Sequence, residues 1–330
     1  MTVGLQPPAG AVEADLSDVP LALRPGRTRA DRIFLGVLYV ASVIVLFAIS
    51  AILAFLIWHS SSAVHHAGAS LVFSQHWAPT GPAPKFGLGG ALVGTVMIAF
   101  IALLVGLPIS ICAALMINEY APRWARRGLT ALVDLLAVLP SLLYGIWGLE
   151  VFTPEVDGIT RWLSHHADFV PWFRDPELLY GGSIFLCGLV VGIMIVPIIT
   201  SVSREVMSQA PRDACEAALA LGGTRWGMVT DVILPFAKTG ILGGVLLGLA
   251  RALGETVAVL FILSQTNLIH THILNPGGGD IPALIANLFV SEPSLGKSAL
   301  TFGGLLLFGT ILVINFIARR IVGRPKVTIV

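Results

Sequence analysis

Six long apolar runs most strongly constrain the fold of this 330-residue chain. A helix needs about 20 apolar residues to cross the roughly 30 Å hydrocarbon core of a bilayer, and every run is long enough. Only helices and closed barrels satisfy their backbone hydrogen bonds within lipid. The sequence therefore predicts an all-α integral membrane protein with six transmembrane helices. The runs lie near 33–58, 90–117, 129–149, 181–202, 239–264 and 299–318.

The composition agrees with a membrane protein. Charged residues form 12% of the chain, against about 25% in an ordinary soluble domain, and the mean hydropathy is +0.87. A net charge of +1 argues against a nucleic-acid partner. The three cysteines are widely spaced, and no zinc motif or phosphate-binding loop occurs. We therefore expect no catalytic residue, metal or cofactor in this chain, and any ATP hydrolysis must occur on another chain.

The basic residues predict the orientation of the spans, because cytoplasmic connections carry the excess of Lys and Arg. Fifteen of the twenty lie in residues 1–32, the connection between the second and third runs, the connection 203–238 and residues 319–330. Four lie on the opposite side: Lys85, Arg161, Arg174 and Lys297. Both termini are thus predicted to be cytoplasmic. Residues 1–32 are expected to be a disordered tail and 321–330 a second cytoplasmic tail. The run 33–58 is expected to be a transmembrane span rather than a cleaved signal peptide.

Adjacent histidines in the outward connection 150–180 raise the possibility of a metal site. His165 and His166 are neighbours in sequence, so they point to different faces of any regular element. No third ligand has a spacing that would join them. We expect solvated loop residues rather than metal ligands.

The cytoplasmic segment 211–235 reads PRDACEAALALGGTRWGMVTDVILP. Pro211 suits the first position of a helix, and Gly222 suits the left-handed residue that ends one. Between them an apolar, mostly small-residue face recurs at helical spacing; it is formed by Ala214, Ala217, Ala218 and Leu221. Such a helix fits either a groove on a partner protein or the surface of the bilayer, and composition alone leaves both open.

Two ionisable residues, Arg251 and Glu255, interrupt the fifth apolar run, in the stretch 248–260 that reads GLARALGETVAVL. A charge at the bilayer centre costs about 2.5–3.5 kcal/mol on insertion scales, so it should face protein or a wet cavity. At about 100° per residue, Arg251 and Glu255 fall roughly 20° and 60° around the helix from Gly240. They share that face with Gly244 and Gly248, where neighbouring helices can approach closely.

Two interpretations of this pair remain. The structural interpretation is an ion pair four residues apart that fixes the helix in the bundle. The functional interpretation is an anion pathway, in which Arg251 offers a planar cationic fork to the anion. Glu255 either holds the guanidinium in place or competes with the anion for it. Thr256 is a candidate to hydrogen-bond either a substrate or its own helix backbone.

The segment 211–235 resembles the EAA signature of bacterial ABC-importer permeases. The matching residues are Glu216-Ala217-Ala218, Gly222 and Val232-Ile233-Leu234-Pro235, with Val where the pattern usually has Ile. In that family the motif forms the helix that inserts into the cytoplasmic ATPase. The resemblance therefore implies that Glu216, Ala217, Ala218 and Gly222 couple this chain to an ATPase.

A closer resemblance points to phosphate importers. It rests on Asn118-Glu119-Tyr120-Ala121-Pro122, Leu139-Pro140-Ser141-Leu142-Leu143-Tyr144-Gly145 and Gly248-Leu-Ala-Arg-Ala-Leu-Gly-Glu-Thr256, and the last is more similar to the PstC type of permease. It covers about residues 88–320. It implies a type I ABC importer permease (MetI-like) fold and a substrate pathway with Arg251, Glu255 and Thr256.

The same resemblance implies partners and a location. These are a second permease of the PstA type, an ATPase dimer of the PstB type, an external binding protein of the PstS type, phosphate as substrate, and the lipid bilayer of a bacterial cell membrane. Two other classes compete with this interpretation. A secondary transporter or channel would work without an ATPase, and a membrane enzyme would need a nucleophile or metal constellation that the sequence lacks. A permease for another oxyanion is the third alternative.

Overall fold

The computed structural model describes residues 29–80, 84–167, 169–173, 181–269 and 272–322, without the side chains of 321 and 322. Most of the predicted tail 1–32 and of the predicted tail 321–330 lies outside these residues. The chain forms two compact units, Met1–Ile52 and Leu53–Val330.

The described residues form α-helices joined by turns, and their only β contacts are isolated bridges. Three π turns, at Met116–Tyr120, Gly148–Phe152 and Val229–Ile233, extend or link helices. The α-helices, in chain order, are α1 (Arg29–Ala67), α2 (Ser70–Phe73), α3 (Gly89–Leu115), α4 (Arg123–Val138), α5 (Ser141–Trp147), α6 (Thr153–His166), α7 (Ile184–Ser208), α8 (Arg212–Ala220), α9 (Arg225–Met228), α10 (Leu234–Leu253), α11 (Val257–Ile262), α12 (Ile281–Leu288) and α13 (Ser294–Val322).

The prediction of an all-α membrane protein is confirmed. Within the described residues, five helical segments are long and apolar enough to cross a membrane, and a sixth span results if α4 and the segment Ser141–His166 count as one. The five segments are Arg29–Ala67, Gly89–Tyr120, Ile184–Ser208, Arg225–Leu253 and Ser294–Arg320. The predicted runs 33–58, 90–117 and 299–318 lie within these segments. The run 181–202 begins three residues before its helix, and the runs 129–149 and 239–264 each cross a helix break. The cytoplasmic placement of both termini stays a prediction.

The third run is not the single straight span expected near 129–149. Its two parts meet at 90°, because the chain leaves helical geometry at Leu139, with φ −59° and ψ 132°. Pro140 disfavours the helical region for the residue before it and removes one backbone donor. At the second run the outcome is the reverse, although that run also contains a proline, Pro108. Helix α3 runs through Pro108 without a break.

The fifth run, expected as one helix near 239–264, is also broken. Helix α10 ends at Leu253 and α11 begins at Val257. Gly254 weakens the helix at this point. The carboxylate of Glu255 accepts a hydrogen bond from the backbone N–H of Ala258 at 3.1 Å, which stabilises a new helix start.

Helix α7 is the central helix of the bundle, with two thirds of its most apolar segment buried. The glycine face predicted on α10 packs against it. A Cβ built on Gly240, Gly244 or Gly248 would lie 2.5, 3.1 and 2.7 Å from side-chain atoms of α7. These distances are shorter than the 3.5–4.0 Å of ordinary carbon contacts. The glycines therefore set how closely α10 approaches α7. The α7 residues involved are Val206, Val202 and Ile199.

Candidate functional site

Arg251 lies in the last turn of α10 and is half-buried. Its Nε atom is buried and has no hydrogen-bond partner. Among the residues that the structure describes, no carboxylate forms an ion pair with it. A buried polar group without a partner costs about 1–3 kcal/mol, and more when it is charged. Arg251 is therefore a cation that the chain positions without neutralising.

Glu255 is near Arg251 in sequence but serves a different structural role. Its side chain is 7% exposed, and Oε1 accepts the Ala258 N–H, so it caps α11. The helix break at Gly254 removes the regular spacing of four residues on which the ion-pair interpretation depended. In this structure the two charges share a site without forming that pair.

A cavity of about 570 Å³ joins the two charges. Its wall contains one guanidinium and one carboxylate in otherwise apolar surroundings. The lining residues are Ile198, Leu247, Ala250, Arg251, Gly254 and Glu255. Thr256, the third predicted pathway residue, is not in this lining. Its hydroxyl points to the Gly254 carbonyl oxygen, 3.4 Å away, which is a long and weak hydrogen bond.

Asp280 is a buried acid near this site that the sequence analysis missed. It is 2% exposed and precedes α12, where Oδ2 accepts the Ala283 N–H at 3.0 Å. Burial raises the pKa of Asp280 to about 7; hydrogen bonds with Ala283 and Thr95 lower it, and the charge of Glu255 raises it. The signal in the sequence was an acid directly before Ile281-Pro282, a helix start.

The predicted coupling helix is α8. Glu216 and Ala217 are exposed, whereas Ala218 is half-buried and packs against the protein's own core. Ala218 therefore lies on the inner side of α8, and its role in coupling to an ATPase stays a prediction. Leu221 is 89% exposed and follows the helix. Pro211, predicted at the first position of the helix, lies at its cap, one position before the observed start at Arg212.

Gly222 has the left-handed conformation expected of a residue that ends a helix, with φ +86°. A Cβ built there would meet no atom within 4 Å. The backbone conformation, rather than a lack of space, therefore favours glycine at this position.

His165 and His166 occupy the last turn of α6, so the expectation of a loop is wrong, although both are exposed. The His166 ring stacks on Trp162 with centroids 4.8 Å apart. No group of three His, Cys, Asp or Glu residues in the described ranges is arranged to hold a metal ion. A second cavity, of about 420 Å³, includes His59 and Lys297 but none of the predicted site residues.

Comparison with known proteins places the chain in a family. Residues 106–327 match the model of the binding-protein-dependent transport system inner membrane component. The chain is 37% identical to the phosphate transport system permease protein PstC of Xylella fastidiosa (strain 9a5c), over 88% of this chain and 90% of that protein. It is 36% identical to PstC 2 of Mycobacterium tuberculosis (strain ATCC 25618 / H37Rv), over 92% and 95% of the two chains.

A solved structure supports the fold. The structure is that of a bacterial alginate ABC transporter in complex with an alginate pentasaccharide-bound periplasmic protein. Its matching chain is 19% identical and has a TM-score of 0.58, over 90% of this chain and 98% of that one. The chain therefore belongs to the family of binding-protein-dependent transport system inner membrane components, as a multi-pass permease subunit.

Proposed function

We propose that the chain is a membrane-spanning permease subunit of an ATP-driven importer of inorganic phosphate. The observation that carries the proposal is Arg251, a cation in the wall of a 570 Å³ cavity that forms no ion pair with any residue in the described part of the chain. The substrate class is supported by the PstC names of relatives that match about nine tenths of the chain.

Arg251 suits this role because guanidinium presents several N–H donors in a planar fork that matches phosphate oxygens. A bound oxyanion would accept hydrogen bonds from the guanidinium and supply the opposite charge. Glu255 holds an opposing charge in the same cavity, which limits how tightly an anion binds. A pathway needs this balance, because an anion that binds too tightly is not released. Thr256 is the third proposed pathway residue, as a hydroxyl close to that wall.

The coupling residues in this proposal are Glu216, Ala217, Ala218 and Gly222. Two large apolar side chains near them are exposed, Leu221 at 89% and Trp226 at 60%. An exposed apolar surface next to a projecting helix supports a protein partner. We assign this surface to the ATPase and expect Ala218 to act from the inner side, by holding α8 on the core.

The remaining partners and the topology follow from the same proposal. Both termini and α8 face the cytoplasm, and residues 88–320 form the permease core. A second permease of the PstA type completes the pathway, an ATPase dimer of the PstB type hydrolyses ATP, and an external protein of the PstS type delivers phosphate.

The test is uptake of radiolabelled phosphate into cells that lack their own phosphate importers. The chain is expressed with its three partner proteins, and then alone. We expect uptake only with all partners present and with an ATPase able to hydrolyse ATP. Uptake by the chain alone would favour a secondary transporter or channel. No uptake of labelled phosphate, together with uptake of a labelled phosphonate that excess phosphate does not reduce, would favour another oxyanion.

A further inference from the structure

A short segment after α3 connects several helices near the coupling helix. Asn118 and Glu119 lie in the π turn that continues α3. The Asn118 side-chain Nδ2 donates a hydrogen bond to the carbonyl oxygen of Arg204, in α7, at 2.7 Å. The guanidinium of Arg126, in α4, donates a hydrogen bond to the Asn118 carbonyl oxygen. We call Asn118 and Glu119 the junction, because they tie α3 to α4 and α7.

The junction also reaches both sides of the coupling helix. Arg225, the first residue of α9, places Nη1 3.5 Å from the Glu119 carbonyl oxygen, at the long limit of a hydrogen bond. Burial raises the pKa of the Cys215 thiol in α8, and the charges of Glu119 and Glu216 raise it further. The Glu119 carboxylate is therefore close enough to α8 to act on its thiol electrostatically.

Apolar contacts hold the coupling helix to a buried cluster that also contains the end of α3. Cys215 and Ala218 pack on a buried cluster that includes Ala114 and Leu115 of α3. The cluster also contains Met207, Met228, Val229, Ile233, Ala237 and Ile241. Because packed interiors transmit displacements, movement of α8 reaches α3 and the first half of α10 together.

Helix α10 connects this cluster to the candidate pathway. It runs without a break from Leu234 to Leu253, about 30 Å at 1.5 Å per residue, and it carries Arg251 in its last turn. A displacement of the N-terminal end of α10 therefore moves Arg251, provided that α3 and α7 move with α10 rather than separating from it. The Asn118 hydrogen bond joins the end of α3 to α7 close to the cluster on which the coupling helix packs.

We propose that Asn118 is a positioning residue for coupling, which makes α3 and α7 follow the coupling helix as one body. The inference rests on the proposed function, because it presumes that an ATPase moves α8. The side-chain amide is required for its donor. The substitution Asn118→Asp keeps a similar shape but sets a carboxylate against the Arg204 carbonyl oxygen.

The experiment compares complexes carrying Asn118→Ala or Asn118→Asp with wild type, after purification with the ATPase bound and reconstitution in vesicles. Phosphate import and ATP hydrolysis are measured on the same vesicles. We expect ATP hydrolysis within about twofold of wild type and phosphate import lowered about tenfold, so that more ATP is hydrolysed per phosphate. The control is Asn287→Ala, the same change at an exposed position in α12, which should leave the ratio unchanged. If both Asn118 variants keep the wild-type ratio, the proposal is wrong.

A second measurement does not depend on the substrate. Cys112 and Cys187 are replaced by Ser, and alkylation of Cys215 is followed in membranes that contain the permease without the ATPase. Asn118→Ala should raise the alkylation rate several-fold, because it releases the end of α3, which contributes to the cluster that Cys215 packs on. An unchanged rate would overturn the proposed junction even if the variant imports no phosphate. Absence of phosphate import in wild type, with a raised Cys215 rate in the variant, would instead count against the proposed function alone.

Discussion

The packing of α10 on α7 yields a quantitative prediction for two alanine substitutions in one helix. A Cβ at Gly240 would lie 2.5 Å from both γ carbons of Val206 and 2.9 Å from its Cβ, whereas a Cβ at Gly243 would meet nothing within 4 Å. Rotation of Val206 does not relieve the contact with its own Cβ. Overpacking of this kind costs about 1–3 kcal/mol.

Both substitutions gain the same helix propensity, about 0.8–1.0 kcal/mol, so this contribution cancels in the comparison. We expect Gly240→Ala to be less stable than Gly243→Ala by about 1–3 kcal/mol, and Gly243→Ala to be slightly more stable than wild type. The assay is the free energy of unfolding of the full chain in mixed detergent micelles, followed by helical circular dichroism.

A third variant tests the cause. Val206→Ala removes both γ carbons from the contact, so it should make Gly240→Ala less harmful in the double variant than the sum of the single changes predicts. If Gly240→Ala and Gly243→Ala agree within about 0.5 kcal/mol, α10 does not pack on α7 through this face. The site geometry at Arg251 would then lose its support.

Three further predictions concern orientation, coupling and pH. With both termini in the cytoplasm, His165→Cys should react with an impermeant thiol reagent on intact cells and Ala220→Cys should not, in a chain without other cysteines; the reverse pattern would invert the topology. Gly222→Val forces a β-branched residue to φ +86°, a strain of about 1–3 kcal/mol, so it should release the ATPase. Gly158→Val, at a helical glycine that is equally free of neighbours, should leave the ATPase bound. If both variants keep the ATPase bound, Gly222 has no role in coupling. The unfolded chain loses the Asp280 proton near pH 3.8 and the folded chain near pH 7, so stability falls as pH rises through this range. Asp280→Asn should flatten that fall, and an unchanged pH profile of the thermal midpoint would contradict the assignment.

The apolar runs predicted the spans well because burial in lipid is the strongest constraint on such a chain. The end of the coupling helix was also predictable, since Gly222 is a local backbone signal. Helix breaks were less predictable. Pro140 interrupts a span whereas Pro108 does not, so the presence of a proline did not by itself predict a break.

Contacts between distant residues were beyond the sequence for a similar reason. Asn118 and Arg204 are 86 positions apart, and no periodicity in either segment relates them. The charge effect of Glu255 on Asp280 likewise depends on how the chain returns after α11. The Arg251 cation was identified from its cost in lipid, but the lack of an ion pair with Glu255 required the helix break to be known.

The central claim is tested most directly by phosphate uptake through the assembled complex carrying changes at Arg251, with subunit abundance measured alongside. Arg251→Gln removes the charge, and hydrogen bonds to charged groups are worth about 1.5–3 kcal/mol. We therefore expect uptake to fall about 10- to 100-fold at normal abundance, with a smaller loss for Arg251→Lys, which keeps the charge without the planar fork. Exchange of the charges, Arg251→Glu with Glu255→Arg, should not restore uptake. Wild-type uptake by Arg251→Gln would contradict the account, because a neutral amide cannot supply the cation.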